Sequence, residues 1–82
     1  VSPALLDLLR VLLKARAAGE QVAQKLVATS AELEAFAGDP SGAHAVKEGW
    51  RRDVFGADAE ALIEGRIALS VHKGRIRIFD TG

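Results

Sequence analysis

At Gly65 the apolar residues of this 82-residue chain change period, and that change restricts the fold more than any other feature. Before it, apolar positions recur at helical spacing; after it, they alternate. Ile67, Leu69 and Val71 alternate with Arg66, Ala68, Ser70 and His72, and beyond Lys73-Gly74 the pair Ile76 and Ile78 alternates with Arg75 and Arg77. Two period-two runs around a two-residue Lys-Gly link predict a β-hairpin over residues 66–80. With Lys73 and Gly74 as the turn, His72 faces Arg75, Val71 faces Ile76, Ser70 faces Arg77 and Leu69 faces Ile78. One face, Ile67, Leu69, Val71, Ile76 and Ile78, is expected to cover the helices, because a lone hairpin is marginal in water. The other carries Arg66, His72, Arg75 and Arg77 beside Lys73.

The helical part reads in four pieces joined by a connector. Ser2-Pro3 caps and opens a first helix. Its apolar positions (Leu5, Leu6, Leu8, Leu9, Val11, Leu12, Leu13, Ala15) leave only Asp7, Arg10, Lys14 and Ala17 as a solvent stripe. So narrow a stripe predicts a central helix, ending near Gly19. Val22 to Ala28 reads as a helical turn plus connector. Thr29-Ser30-Ala31-Glu32 fits a capping box and opens a helix with Leu33, Phe36 and Ala37 inward. Residues 38–42 form a loop by composition. A third helix carries Val46, Trp50 and Val54 at four-residue spacing with Phe55 alongside, and is stopped by Gly56. Asp58 is expected to cap a short fourth helix with Leu62 and Ile63 inward, ended by Gly65. The expected fold is mainly α: a small bundle of about four helices over residues 3–65 with a C-terminal β-hairpin over 66–80, one domain over 1–82.

Composition excludes several classes of function. No cysteine is present, so there is no disulfide framework, no thiolate nucleophile and no Cys-ligated zinc. The apolar content, 49%, is enough for a core. Ala4 to Leu13 is interrupted by Asp7 and Arg10 and is too short to span a bilayer. No charged segment precedes an apolar run as in a secretion signal. A soluble cytoplasmic domain with no membrane partner is expected, and Val1 in place of a start methionine fits a piece of a longer chain or a trimmed form. His44 and His72 lack a second ligand at metal-like spacing. The serines have no nucleophile context and no phosphate loop occurs. Asp58-Ala59-Glu60 has the spacing of a two-metal nuclease motif, but it opens a helix where capping accounts for Asp58.

The net charge is zero but unevenly spread. Residues 1–29 carry +2, residues 30–64 carry −5 and residues 65–82 carry +3. Such a split can steer a polyanion towards one end of a domain. The hairpin's Arg66, Lys73, Arg75 and Arg77 are the first candidates for nucleic-acid contact, the alternative being an ordinary solvated sheet face. Arg51 and Arg52 come second: they can contact phosphate or pair with Glu48 and Asp53. Trp50, at helical spacing, reads as core.

Several segments then resemble a known family. Ala4 to Lys14, Val22 to Thr29, the Leu33-to-Phe36 helix, Gly49-Trp-Arg-Arg-Asp-Val-Phe-Gly56, Ala61-Leu62 and Gly65 to Leu69 together resemble the C-terminal end of bacterial ribonuclease D. That enzyme carries helicase-and-RNase-D C-terminal (HRDC) domains after its catalytic domain, and the likeness is to the last of them. The hairpin departs from the final helix of a typical HRDC domain and points to ribonuclease D rather than a helicase. The resemblance implies a 3′→5′ exoribonuclease parent that trims structured RNA such as tRNA precursors, with two divalent metals held by a catalytic domain elsewhere. This stretch would be non-catalytic, with no cofactor of its own and with RNA and the parent's catalytic domain as partners. Two readings follow: an accessory RNA-binding domain, or an interaction module docking on the catalytic domain or another protein.

Overall fold

A computed structural model describes residues 2–81. The expected helical bundle with a C-terminal hairpin is what it contains. Helix α1 (Pro3–Glu20) is 18 residues long, about 27 Å. It is followed by the single turn α2 (Gln24–Val27) and by α3 (Ser30–Gly38). A 3₁₀ turn at Ala45–Lys47 leads into α4 (Gly49–Arg51), which continues through a π-helical segment, Arg52–Gly56, into α5 (Ala57–Ile63). Strands β1 (Ile67–His72) and β2 (Arg75–Asp80) close the chain.

Helices α1 and α3 each start at a side-chain cap. Ser2 Oγ accepts from the Leu5 amide at 3.4 Å, with Pro3 in the first turn. At α3 the box is complete: the Glu32 amide donates to Thr29 Oγ1 at 3.1 Å and the Thr29 amide donates to Glu32 Oε1 at 2.9 Å. The end of α1 falls later than Gly19. Gln21 takes the left-handed conformation (φ 58°) and donates its amide to the carbonyls of Ala17 and Ala18. Ala17 is buried rather than on the solvent stripe.

Leu9, Leu12 and Leu13 of α1 meet Val27, Leu33, Phe36, Val46, Phe55 and Ala59 in one core. Burial of each large side chain is worth about 1.5–3 kcal/mol. The inner face of α3 is Leu33, Phe36 and Ala37, as the pattern predicts. The later helices differ from expectation. Gly56 does not stop a helix: its backbone is helical (φ −58°, ψ −42°) and the chain runs through it. An added Cβ there would overlap the Val46 carbonyl oxygen, so glycine serves close approach of the 3₁₀ turn. Asp58 caps nothing and pairs with Arg16 instead. On α5 the buried positions are Ala59 and Ala61, with Leu62 and Ile63 half-buried.

Trp50 is not core; it is 50% exposed. The spacing from Val46 to Trp50 does not lie on one helix, because Glu48 is extended and Gly49 has φ +56°. The π segment then inserts an extra residue in the turn that follows, so Phe55 rather than Trp50 reaches the core.

The hairpin register is the expected one, extended at its base by Ala68 with Phe79 and Ile67 with Asp80. Lys73 (φ 52°) and Gly74 (φ 78°) are both left-handed, the signature of a type I′ turn. The apolar face covers the helices only near its base. Ile67 is buried and Leu69 and Ile78 are half-buried, but Val71 is 70% exposed. Each strand spans about 20 Å, and the pair is fastened at its base, where Thr81 donates its amide to Arg66 O at 3.0 Å and its hydroxyl to Gly65 O at 2.6 Å.

Two stability outcomes follow. Alanine for glycine inside a helix ordinarily stabilises by about 1 kcal/mol; Gly56→Ala will instead destabilise by about 1–3 kcal/mol through overpacking, read as a lower urea midpoint. Thr29→Ala will cost about 1 kcal/mol at pH 7. The Thr29 amide, then its hydroxyl and Arg51, hold the Glu32 carboxyl below its ordinary pKa of 4.5. The contribution of its charge is therefore complete above pH 4.5 and is lost as the pH falls through the lower folded value. The stability gap between the wild type and Glu32→Gln will close over that acid range in urea titrations.

Candidate nucleic-acid interface

The chain has 11 lysines and arginines, and their partners separate them into two groups. Five arginines are ion-paired. Arg16 holds Asp58 through both Nε and Nη2. Arg51 holds Glu32 at 3.2 Å, Arg52 holds Glu60 at 2.8 Å and Arg66 holds Glu64 at 2.8 Å. Arg10 makes two looser contacts, to Asp7 at 3.4 Å and Glu34 at 3.8 Å. Lys47 turns inward and donates through Nζ to the carbonyls of Pro40 and Gly42, each at 2.9 Å. Among the described residues, Lys14, Lys25, Lys73, Arg75 and Arg77 have no carboxylate within ion-pair distance.

The hairpin gathers three of these five. Lys73 is at the turn, Arg75 follows it, and Arg77 lies two residues further on the same face, since side chains two apart share a face. All three are exposed. Arg66 does not join them. It precedes β1 at the base, about 20 Å from the turn, and the Glu64 carboxylate bonded to it raises its pKa above the ordinary guanidinium value. Arg51 and Arg52 are also elsewhere, and their carboxylates are Glu32 and Glu60 rather than Glu48 and Asp53.

The structure adds Phe79 to this face. It continues the alternation of Arg75 and Arg77, is 36% exposed, and lies under the Arg77 guanidinium, 5.3 Å from carbon to ring centroid. That is cation–π distance. A flat aromatic flanked by unpaired cations suits a base stacked beside its own phosphate. Trp50 makes a similar but looser pair with Arg51, at 5.8 Å.

Among the described residues no polar or charged side chain is buried, and no three His, Asp or Glu residues converge on a metal-sized site. Asp58 and Glu60 are taken by Arg16 and Arg52, so the two-metal spacing does not form a ligand set. His44 is half-buried, edge-on to Phe36 with centroids 5.6 Å apart. No helix among the described residues is long and apolar enough to cross a membrane.

The fold is thus that of a small, mainly helical domain with a C-terminal β-hairpin. Over nearly all of its length the chain is homologous to a segment of ribonuclease D. It is 47% identical over 81 residues to the ribonuclease D of Jannaschia sp. strain CCS1, covering 98% of this chain and 20% of that protein. It is 47% identical over 70 residues to that of Zymomonas mobilis, covering 85% and 18%. It is 40% identical over 76 residues to that of Bartonella henselae, covering 92% and 19%. The chain therefore spans about a fifth of the length of the relatives it matches. No family model matches the chain, and no solved structure matches it significantly.

Trp50 is the one tryptophan, so its exposure has a direct readout. Its emission will be that of a hydrated indole, and acrylamide will quench it in the folded protein nearly as well as in urea. A blue-shifted, protected emission would contradict the placement.

Proposed function

We propose that this chain is an accessory, HRDC-like RNA-binding domain of a cytoplasmic ribonuclease D, a 3′→5′ exoribonuclease acting on structured RNA such as tRNA precursors. The observation that carries the reading is the row of unpaired Lys73, Arg75 and Arg77 with Phe79 beneath Arg77. Cations without carboxylate partners are free to neutralise phosphates, and the ring offers a base a stacking partner. Catalysis and its two divalent metals belong to another domain of the parent. This domain holds the body of the substrate while a separate site takes its 3′ end, and its contribution is effective concentration. Arg66, Arg51 and Arg52 are secondary, since each must first leave a carboxylate.

A second reading, docking on the parent's catalytic domain, draws on Val71 and Ile76, whose exposure leaves an apolar strip on the other face of the hairpin.

The two readings separate in one experiment, fluorescence anisotropy with a tRNA-like RNA over a salt series. Lys73→Ala/Arg75→Ala/Arg77→Ala is expected to weaken binding and reduce the log–log salt slope by about 2, at about 0.7 per phosphate contact. Phe79→Ala is expected to cost about 1–3 kcal/mol with little change in slope. Arg51→Ala/Arg52→Ala is expected to change binding far less. An affinity unchanged by the triple substitution overturns the RNA reading and leaves docking as the function to test.

A further inference from the structure

The two remaining unpaired cations, Lys14 and Lys25, are far apart in sequence from the hairpin, yet they face a common space. A cleft of about 290 Å³ opens between α1, α2 and the start of α3. Arg10 and Lys14 line it from α1, Lys25 from α2, and the hydroxyl residues Thr29 and Ser30 from the beginning of α3. Lys14 and Lys25 are exposed. Arg10 is tethered only by its contacts to Asp7 and Glu34, at 3.4 and 3.8 Å, both on exposed carboxylates. Three cations and two hydroxyl residues line one concavity, a set that suits a phosphate-sized anion.

A second cleft lies further along α1, beside the hairpin. Lys14 lies one helical turn before Ala18 on the same side of α1, and Arg10 one turn before that. Ala15, Ala18 and Gly19 line this second cleft together with Arg75 and Ile76 of the hairpin. From Arg10 to Ala18 the helix advances about 12 Å. Folding thus brings Arg75 of the +3 segment beside the end of α1, the helix that carries Arg10 and Lys14.

We propose that the Arg10–Lys14–Lys25 cleft is a second phosphodiester contact, and that one RNA strand lies across it, along α1 and onto Lys73, Arg75 and Arg77. The proposal rests on the RNA-binding reading and adds to it a site, a direction and a footprint larger than the hairpin.

The test uses the 82-residue chain and a fluorescein-labelled single-stranded RNA of about 16 nucleotides, with anisotropy recorded over a salt series. Lys14→Gln/Lys25→Gln removes both unpaired charges and leaves the ion pairs intact, and the two single substitutions, Lys14→Gln and Lys25→Gln, repeat the measurement should the pair unfold. Binding is expected to weaken several-fold, with the log–log slope smaller by about 0.7 for each lysine removed. Combined with the hairpin triple, the losses are expected to add to about 3.5, as they must if both clusters hold the same strand. A slope and affinity unchanged by Lys14→Gln/Lys25→Gln, while the hairpin triple loses binding, overturns the cleft and leaves the hairpin reading standing. Losses that do not add overturn the single-strand path. No binding by the unaltered chain at low salt overturns the reading on which both depend.

Discussion

The close approach of Gly56 to the Val46 carbonyl is the contact on which the later half of the domain depends. It lets the 3₁₀ turn lie directly against the π segment, and Val46 and Phe55, both fully buried, share one core with α1. The π segment that contains Gly56 takes up the extra residue this packing requires. One consequence is that α5 runs on from α4 without a break, and α5 in turn supports the start of β1. The hairpin stands where it does because a glycine inside a helix has no side chain.

Charge is distributed by the same folding. Three of the arginines from the positive ends, Arg10, Arg16 and Arg66, pair with Glu34, Asp58 and Glu64 of the acidic middle. Arg51 and Arg52 pair with Glu32 and Glu60 within the middle itself. Guanidinium suits such pairs, since its planar fork matches a carboxylate. The cations left over are Lys14 and Lys25 at one end and Lys73, Arg75 and Arg77 at the other. A chain with zero net charge can still present a locally basic surface where cations without carboxylate partners lie together, six of its 11 carboxylates (Asp7, Glu32, Glu34, Asp58, Glu60 and Glu64) being held by arginines. Long-range steering by such a molecule is weak, and affinity has to come from contacts within a Debye length of about 8–10 Å.

How much of this is legible in the sequence depends on the range of the interaction. The capping box at Thr29 and Glu32 is a three-residue signal, and it reads correctly. The hairpin register reads correctly because a two-residue turn admits only one pairing. Trp50 reads wrongly because helical spacing from Val46 presumes one continuous helix, and the extended Glu48 and left-handed Gly49 interrupt it. The partners of Arg51 and Arg52 are 19 and 8 residues away, beyond any local rule. The cleft of Arg10, Lys14 and Lys25 needs the crossing of three helices to exist, and no spacing along the chain encodes it. Phe79 is intermediate: it continues an alternation open to inspection, but its place under Arg77 follows only once the register is known.

Lys73 shows where stability and binding pull apart. A type I′ turn requires left-handed backbone at both central positions, and asparagine or glycine fills the first with least strain. Lysine there, at φ 52°, costs on the order of 1 kcal/mol. No carboxylate among the described residues repays it, and its neighbours Val71 and Ile76 are exposed rather than buried against the helices. The turn is thus poorly chosen for folding alone. It is well chosen for holding an uncompensated cation at the end of a rigid strand pair, in line with Arg75 and Arg77. Under the RNA-binding proposal, that strain serves to place a cation in line with Arg75 and Arg77.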